Sequence, residues 1–162
     1  MGFQSIFREI NFKLEVYKMS IWNEIITDND LTEFLELYGG FHDCCLKELR
    51  YISGAFVNKD LSMNPINTQR KLLVLLQRQS EDNPVVELEF SCLESLNLKP
   101  VNQTYTCEIL DVSMFFENGK IYWSDSDSFE TQREQYEGTW LCAGKARWRF
   151  VDEYIGEQEI YK

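Results

Sequence analysis

The chain of 162 residues predicts an α+β fold, in which one or two N-terminal helices pack on an antiparallel sheet of five or six strands. Three observations indicate this fold: an apolar stripe at helical spacing near residue 30, a series of alternating segments after residue 44, and an Asn-Gly pair between two of those segments. Aromatic residues make up 14% of the chain and suit half-buried sheet surfaces. A chain of this length is expected to form one domain.

The predicted helix begins at Asp30, which forms a capping-box pattern with Glu33, and it ends at Gly39-Gly40. Its apolar stripe consists of Leu31, Phe34, Leu35 and Tyr38. Residues 20–28 are expected to form a short helical turn. Residues 1–18 fit both a strand and a helix, so we treat them as an appendage to a single domain of residues 19–162.

The predicted strands follow the helix as a meander. They cover residues 44–53, 71–79, 86–92, 104–116, 121–123 and 146–150. Asn118-Gly119 fits a two-residue hairpin turn, and Leu46 falls on the wrong face of its strand, which indicates a bulge. Residues 54–68 and 124–138 are expected to be loops. Predicted core residues on the strands are Leu88, Phe90, Val112, Met114, Trp148 and Phe150.

The net charge of −11 indicates what kind of partner the chain binds. It argues against contact with nucleic-acid phosphates and against docking on anionic lipid, because both carry the same sign of charge. The charge suits solubility and the attraction of a basic protein partner, and the favoured explanation is an ordinary acidic cytosolic protein.

Five cysteines give an odd count, none lies in a Cys-x-x-Cys spacing, and no signal peptide precedes them. These features predict a reducing cytoplasm. Cys92, Cys107 and Cys142 are expected to be buried thiols. Cys44 and Cys45 are adjacent and point to opposite faces of a strand, so they are not expected to bind one metal ion. No cofactor motif is present, and we expect neither a metal nor a cofactor.

His42 is the only histidine, and with Asp43 it is the only candidate for acid–base catalysis at neutral pH. Consecutive side chains diverge, so a structural role is favoured, with the ring hydrogen-bonded at the helix C-terminus. Nucleophilic catalysis by Cys44 or Cys45 with His42 is a further alternative, although these spacings fix no catalytic geometry.

Residues 121–127 contain three candidate binding residues, Trp123, Asp125 and Asp127. The alternating acids resemble a calcium loop. Counted from Asp125, however, position 5 is Phe129 and position 6 is Glu130 where an EF-hand needs glycine. A solvated acidic loop is the favoured interpretation.

Arg147 and Arg149 share one face of the last predicted strand and are two further candidate binding residues. With Lys71 or Arg78 nearby they would form an anion site. The favoured alternative is a set of solvated cross-strand ion pairs with Glu87 and Glu89.

The segment Gly40–Tyr51, with the sequence GFHDCCLKELRY, resembles the opening strand of small bacterial proteins in which FHD precedes an alternating strand. The segments VELEF at 86–90, IYWSDSD at 121–127 and ARWRF at 146–150 extend the resemblance over residues 34–151. The chain is also similar to immunity proteins of bacterial toxin systems, which are small, acidic and cytoplasmic. That similarity implies a protein-binding module and carries over no catalytic residue.

Two functions are therefore expected as alternatives. The favoured one is a cytoplasmic protein-binding module, similar to immunity proteins, whose acidic surface attracts a basic partner. The other is a small enzyme or ligand-binding protein that uses His42 with Asp43.

Overall fold

A computed structural model describes residues 21–162 of the chain. The elements within these residues, in chain order, are β1 (Asn23–Ile25), α1 (Asp28–Leu37), β2 (Cys44–Ile52), β3 (Phe56–Val57), β4 (Met63–Asn64), β5 (Lys71–Arg78), β6 (Val85–Asn97), β7 (Ser113–Glu117), β8 (Lys120–Ser124), α2 (Phe129–Gln132) and β9 (Trp140–Phe150). The predicted appendage of residues 1–18 lies outside the described residues.

The predicted antiparallel architecture is confirmed, and its sheet is larger than expected. Seven strands form one sheet. Six of them lie side by side in the order β2-β5-β6-β9-β8-β7, and the seventh, β1, pairs with β9. β3 and β4 form a separate two-stranded hairpin. Of the one or two N-terminal helices predicted, one, α1, lies near the start of the described residues, and the second helix found there, α2, follows β8.

The sheet curls so that its two edges approach each other. Cys44 at the start of β2 exchanges both backbone hydrogen bonds with Ile109, which lies four residues before β7. The core fills the concave side of this curl and includes Leu72, Leu76, Leu88, Phe90, Ile121 and Trp123.

α1 begins one turn earlier than predicted. Thr27 is the N-cap: its hydroxyl accepts a hydrogen bond from the Asp30 N–H, and the Asp30 carboxylate accepts one from the Thr27 N–H at 2.8 Å. Thr27 and Asp30 have the capping-box spacing, so the box predicted at Asp30 and Glu33 is wrong by one turn. The predicted apolar stripe is confirmed. Leu31, Phe34 and Tyr38 are buried, and Leu35 packs at the edge of the core.

Residues 20–28 were expected to be helical, and this prediction is wrong. Residues 23–25 form β1, which pairs with Ala146–Trp148 of β9. Ile25 is buried on the core side of β1 while Trp22 and Glu24 lie on the other side. A three-residue strand shows too few alternations to be distinguished from a helical turn by periodicity.

The remaining strand predictions are confirmed for β2, β5, β6, β8 and β9, although β6 and β9 are longer than expected. The bulge expected in β2 is present as a register shift between Leu46 and Glu48. Asn118 and Gly119 both have positive φ, as a type I′ turn requires. The predicted strand 104–116 is wrong over most of its length, since β7 begins only at Ser113.

Buried residues follow the predictions on the strands more closely than in the loops. Leu88 and Phe90 are fully buried, Met114 and Phe150 nearly so, and Val112 and Trp148 pack against the core. Among the cysteines, Cys142 is buried as expected. Cys92 and Cys107 are exposed, contrary to prediction, because Cys92 has φ of +55° at an irregularity in β6 and Cys107 lies in the stretch that forms no strand.

Replacement of Phe90 by alanine tests the core. Phe90 has no exposed surface and lies between Leu72 of β5 and Ala146 of β9. Phe90→Ala should lower the free energy of unfolding by about 3–5 kcal/mol, through lost burial and the cavity left behind. The measurement is urea unfolding at pH 7, with the exposed Phe56→Ala as the control. A loss below about 1 kcal/mol for Phe90→Ala would contradict this assignment.

Candidate functional site

The turn between α1 and β2 has an unusual backbone. Gly39, Gly40, Phe41 and Asp43 all have positive φ, between +57° and +67°. Left-handed conformation costs little at the glycines and about 1–2 kcal/mol at each of the other two residues. The turn places Phe41 in the core, where it contacts the rings of Phe34, Tyr38 and Trp123. Burial of Phe41 therefore offsets the strain.

His42 and Asp43 form a pair on the outside of this turn. His42 Nδ1 lies 3.0 Å from Asp43 Oδ1, and the two side chains are 61% and 45% exposed. The expected contact of the ring with backbone groups is therefore wrong, because the left-handed backbone at Asp43 brings the two side chains together. The His42 ring is open to solvent, whereas general acid–base catalysis needs the imidazole within hydrogen-bond reach of a bound substrate.

A groove of about 570 Å³ lies beside the pair. We call it the thiol groove because Cys44, Cys45 and Cys107 line it, together with Asp43 and Arg78. Burial raises the pKa of Cys44 to about 11 and also raises the pKa of Cys45. Thiolates are the reactive form of cysteine, and both shifts disfavour them. The thiol groove therefore does not support nucleophilic catalysis through Cys44 or Cys45.

The candidate binding residues Trp123, Asp125 and Asp127 occupy three different environments. Trp123 is 1% exposed and packs in the core. Asp125 is half-buried, and its carboxylate accepts hydrogen bonds from the Thr139 N–H at 3.1 and 3.2 Å and from the Tyr136 hydroxyl. Burial, together with the bond to Asp125, raises the pKa of Tyr136 to about 12. Only Asp127 is exposed to a partner.

Residues 125–137, the acidic segment, are anchored by aromatic packing. Phe129 of α2 is fully buried and contacts the rings of Tyr136 and Trp140. Arg133 lies over the Tyr122 ring at 4.4 Å and donates a hydrogen bond to Glu117 at 2.7 Å. The expected loop of residues 124–138 contains the short helix α2, which is anchored through Phe129 and not fully solvated, and these contacts hold it in one position.

A second cavity, of about 340 Å³, lies beside the start of the acidic segment, where Asp125 lines it. We call it the tryptophan cavity. Its walls include Leu46, Leu98, Val101, Ile109, Trp123 and Asp125. Trp123 Nε1 is buried and has no hydrogen-bond partner among the described residues. The cavity is mainly apolar, with the Asp125 carboxylate as its acidic group and Lys99 as its basic group.

Arg147 and Arg149 lie together on the convex face of the sheet. Arg147 donates a hydrogen bond to Glu89 at 3.1 Å, and Arg149 donates one to Glu87 at 2.7 Å. Both guanidinium groups also lie over the ring of Trp22, at 4.6 and 4.5 Å. The predicted cross-strand pairs are present. They are not solvated as expected, because Glu87 and Glu89 are buried.

Burial opposes the ionisation of Glu89. The hydrogen bond from Arg147 and the charges of Arg147 and Lys71 outweigh that effect and lower the Glu89 pKa. The Arg147–Glu89 pair is therefore ionised and structural, and it leaves Arg147 little capacity to bind an external anion.

Sequence reasoning missed three features. Trp22 was assigned to a helical turn, so its stacking on both arginines was not expected. The tryptophan cavity depends on the irregular stretch 98–109, which was assigned in part to a strand. Residues 54–68 were treated as a loop, although Phe56, Val57, Leu61, Met63 and Ile66 form an unusual run of large apolar side chains, which was the available signal.

No family model, curated protein or solved structure matches this chain. Within residues 21–162, no helix is long and apolar enough to cross a membrane. The same residues contain no group of three or more histidine, cysteine or acidic side chains arranged to hold a metal ion.

Replacement of Glu89 by glutamine tests the buried ion pairs. Glu89→Gln should lower the free energy of unfolding by about 1–3 kcal/mol at pH 7, because Arg147 and Lys71 lose their charged partner. The pKa of Glu89 is lower in the folded state than in the unfolded state. Ionised Glu89 therefore contributes to the free energy of unfolding above the unfolded pKa of about 4.3, and this contribution is lost as the pH falls through the folded-state pKa.

Urea unfolding from pH 7 down to strongly acid pH measures this contribution. The difference between wild type and Glu89→Gln should shrink as the pH falls. The exposed Glu36→Gln serves as the control and should show a small, pH-independent difference. An equal loss at every pH for Glu89→Gln would show that ionisation of Glu89 does not stabilise the fold.

Proposed function

We propose that this chain is a protein-binding module whose acidic segment contacts a basic partner protein. The observation that carries the proposal is the density of exposed, unpaired carboxylates on an anchored surface. Asp127, Glu130, Glu134 and Glu137 are all exposed, and none of them forms an ion pair within the described residues. Arg133, the one cation in the segment, is already bound to Glu117.

The acidic segment is suited to steer a partner as well as to bind it. Carboxylates of one sign on a neighbouring surface add their fields, which raises the association rate for a basic protein. The buried ring of Phe129 and the stacking of Arg133 hold the segment in place before a partner arrives. A preordered surface loses less conformational entropy on binding than a mobile loop does.

The resemblance to immunity proteins supplies a class for the partner. A basic toxin whose gene lies directly beside this one would fit the charge of the acidic segment. A neighbouring metabolic operon would instead favour the enzyme alternative. Arg147 and Arg149 are not part of the proposed contact surface, because both are engaged with buried glutamates and Trp22. Cytoplasmic location is part of the proposal.

Neutralising the acidic segment tests the proposal. Asp127→Asn/Glu130→Gln/Glu134→Gln removes three exposed carboxylates without changing the side-chain volumes. The matched control, Glu33→Gln/Glu36→Gln/Glu157→Gln, removes three exposed carboxylates elsewhere. Immobilised wild type should capture a basic protein from the native host, and the segment variant should associate with that protein about tenfold more slowly or worse.

The two variants carry the same net charge, so the comparison separates local contact from overall charge. The control variant should retain the partner with an association rate close to that of wild type. Equal association rates for both variants would show that the acidic segment is not part of the interface. The same conclusion would follow if the captured protein were acidic and bound both variants as tightly as wild type.

The enzyme alternative depends on His42, whose contact with Asp43 is the one observation in its favour. His42→Gln should change the free energy of unfolding by less than about 1 kcal/mol, because the pair is exposed. It should leave partner affinity within a few-fold of wild type. A catalytic histidine behaves differently, since removal of a general base lowers the rate about 10²–10⁴-fold while the fold stays intact.

Thermal unfolding and titration of the captured partner measure the two quantities, with Asp43→Asn as the companion variant. An activity found in the wild type and lost in His42→Gln at unchanged stability would favour the enzyme over the binding module.

A further inference from the structure

The hairpin between β2 and β5 is an ordered segment with almost no buried surface. Every residue from Ala55 to Arg70 is exposed except Asn64, which is half-buried. We call residues 55–70 the apolar hairpin, because five large apolar side chains extend from it: Phe56, Val57, Leu61, Met63 and Ile66. Contiguous apolar side chains on an exposed surface indicate an interaction site.

Hydrogen bonds fix the conformation of the apolar hairpin. Val57 pairs with Met63 across its two strands. At the tip, the Asn58 N–H donates to the Ser62 carbonyl at 2.8 Å, and the Ser62 N–H and hydroxyl both donate to the Asp60 carboxylate. The exposed side chains are therefore presented by a defined backbone.

Among the apolar residues of the hairpin, Leu61 contributes least to the stability of the fold. It lies at the tip with φ of +70°, where glycine or asparagine would cost less, and its side chain is 84% exposed. Met63, two residues on, is 67% exposed. Leu61 and Met63 gain little from folding alone, so we infer that their role is in an intermolecular contact.

The charge around the apolar hairpin is opposite to that of the rest of the chain. Residues 50–71 contain four cations and a single acid, Asp60, and carry a net charge of +3. The remaining residues carry −14. Arg50, Lys59 and Arg70 are exposed and form no ion pair within the described residues. A surface that is both apolar and basic fits an acidic partner with an apolar recess.

The same chain contains such a recess. The walls of the tryptophan cavity are mainly apolar, and Leu98 and Val101 at its mouth are about half exposed. Residues 98–139, which supply all of its lining except Leu46, carry eight carboxylates and three cations. Within the lining itself Asp125 and Lys99 balance, and the exposed carboxylates next to it in the chain are Glu108, Asp111 and Asp127. One chain thus presents an apolar, basic projection and an apolar recess with acidic residues beside it.

The apolar hairpin does not fill the tryptophan cavity of its own chain. No residue of the hairpin lines the cavity. The hairpin leaves the sheet after Ile52, which is six residues along β2 from Leu46 in the cavity wall, or about 20 Å at the rise of an extended strand. A second copy of the chain can bring the two surfaces together.

We propose that copies of this chain associate head to tail, with Leu61 and Met63 of one copy entering the tryptophan cavity of the next. Lys59 then lies near the carboxylates around the cavity. The overall repulsion between two chains of charge −11 is screened beyond about 8 Å at physiological ionic strength, so the local complementarity decides the contact. Such an interface is heterologous, and unless its rotation closes a ring, copies add one after another to an open chain.

The test uses the purified chain alone, so its outcome is independent of the partner proposed above. Sedimentation equilibrium at physiological salt, from micromolar to millimolar protein, should show a mass that rises continuously and does not level at a dimer. Leu61→Ser/Met63→Ser removes the projection, and Val101→Arg places bulk and positive charge at the cavity mouth. Each variant alone should remain monomeric.

The decisive sample is an equimolar mixture of the two variants. One retains an intact cavity and the other an intact hairpin, so the mixture should form a 1:1 dimer and no larger species. The matched control, Ile26→Ser/Leu37→Ser, removes two exposed apolar side chains elsewhere and should associate as wild type does. Circular dichroism and thermal unfolding confirm that each variant is folded.

Three results would overturn the proposal. The first is a wild type that stays monomeric at every concentration. The second is a mixture that forms no dimer while Val101→Arg dimerises by itself. The third is a control that loses association together with the hairpin variant. The second of these would indicate a symmetric hairpin-to-hairpin contact. Binding of monomeric wild type to phosphatidylglycerol vesicles, lost in Leu61→Ser/Met63→Ser, would assign the hairpin to a lipid surface instead.

Discussion

The packing of Phe41 against the concave side of the sheet is the constraint on which the rest of the structure depends. Its left-handed backbone reverses the chain within the six residues that separate α1 from β2. The reversal lets Phe34 and Tyr38 contact the same core as Phe41, and it starts β2 at Cys44, where the pairing with Ile109 closes the curl of the sheet. The tryptophan cavity and the thiol groove both lie against that closure, so their shapes follow from this one turn.

The two faces of the sheet are stabilised by different interactions. The concave face is apolar and aromatic, with Phe34 stacked on Trp148 at 4.9 Å. On the convex face, buried Glu87 pairs with Arg149 and buried Glu89 pairs with Arg147, while Tyr161 from the C-terminal residues donates a hydrogen bond to Glu87 at 2.8 Å. Buried ion pairs contribute little net free energy to folding, but removing one partner leaves the other charge buried and destabilises the fold. We therefore expect these pairs to contribute more to the register between β6 and β9 than to the stability of the sheet.

Local sequence signals predicted the parts of the fold that local physics determines. The apolar stripe of α1, the Asn118-Gly119 turn and the alternation of β6 each depend on residues within a few positions of one another, and all three are confirmed. The helix start was wrong because two overlapping capping boxes compete, at Thr27 and at Asp30, and only packing selects between them. β1 depends on pairing with residues more than a hundred positions away, and the tryptophan cavity depends on the irregular stretch 98–109. Local periodicity in the sequence predicts neither of them.

The candidate site was predicted in its composition but not in its arrangement. Trp123, Asp125 and Asp127 are close in sequence, yet one is in the core, one is bound to Thr139 and Tyr136, and one faces solvent. Net charge has the same weakness as a guide. A value of −11 sums charges over the whole chain, and its field is screened beyond the Debye length, whereas a contact depends on the charges within about 8–10 Å. At that range the exposed cations Arg50, Lys59 and Arg70 lie around one part of the chain and the exposed carboxylates of the acidic segment lie on another, so the distribution of charge along the chain describes its surfaces better than the sum does.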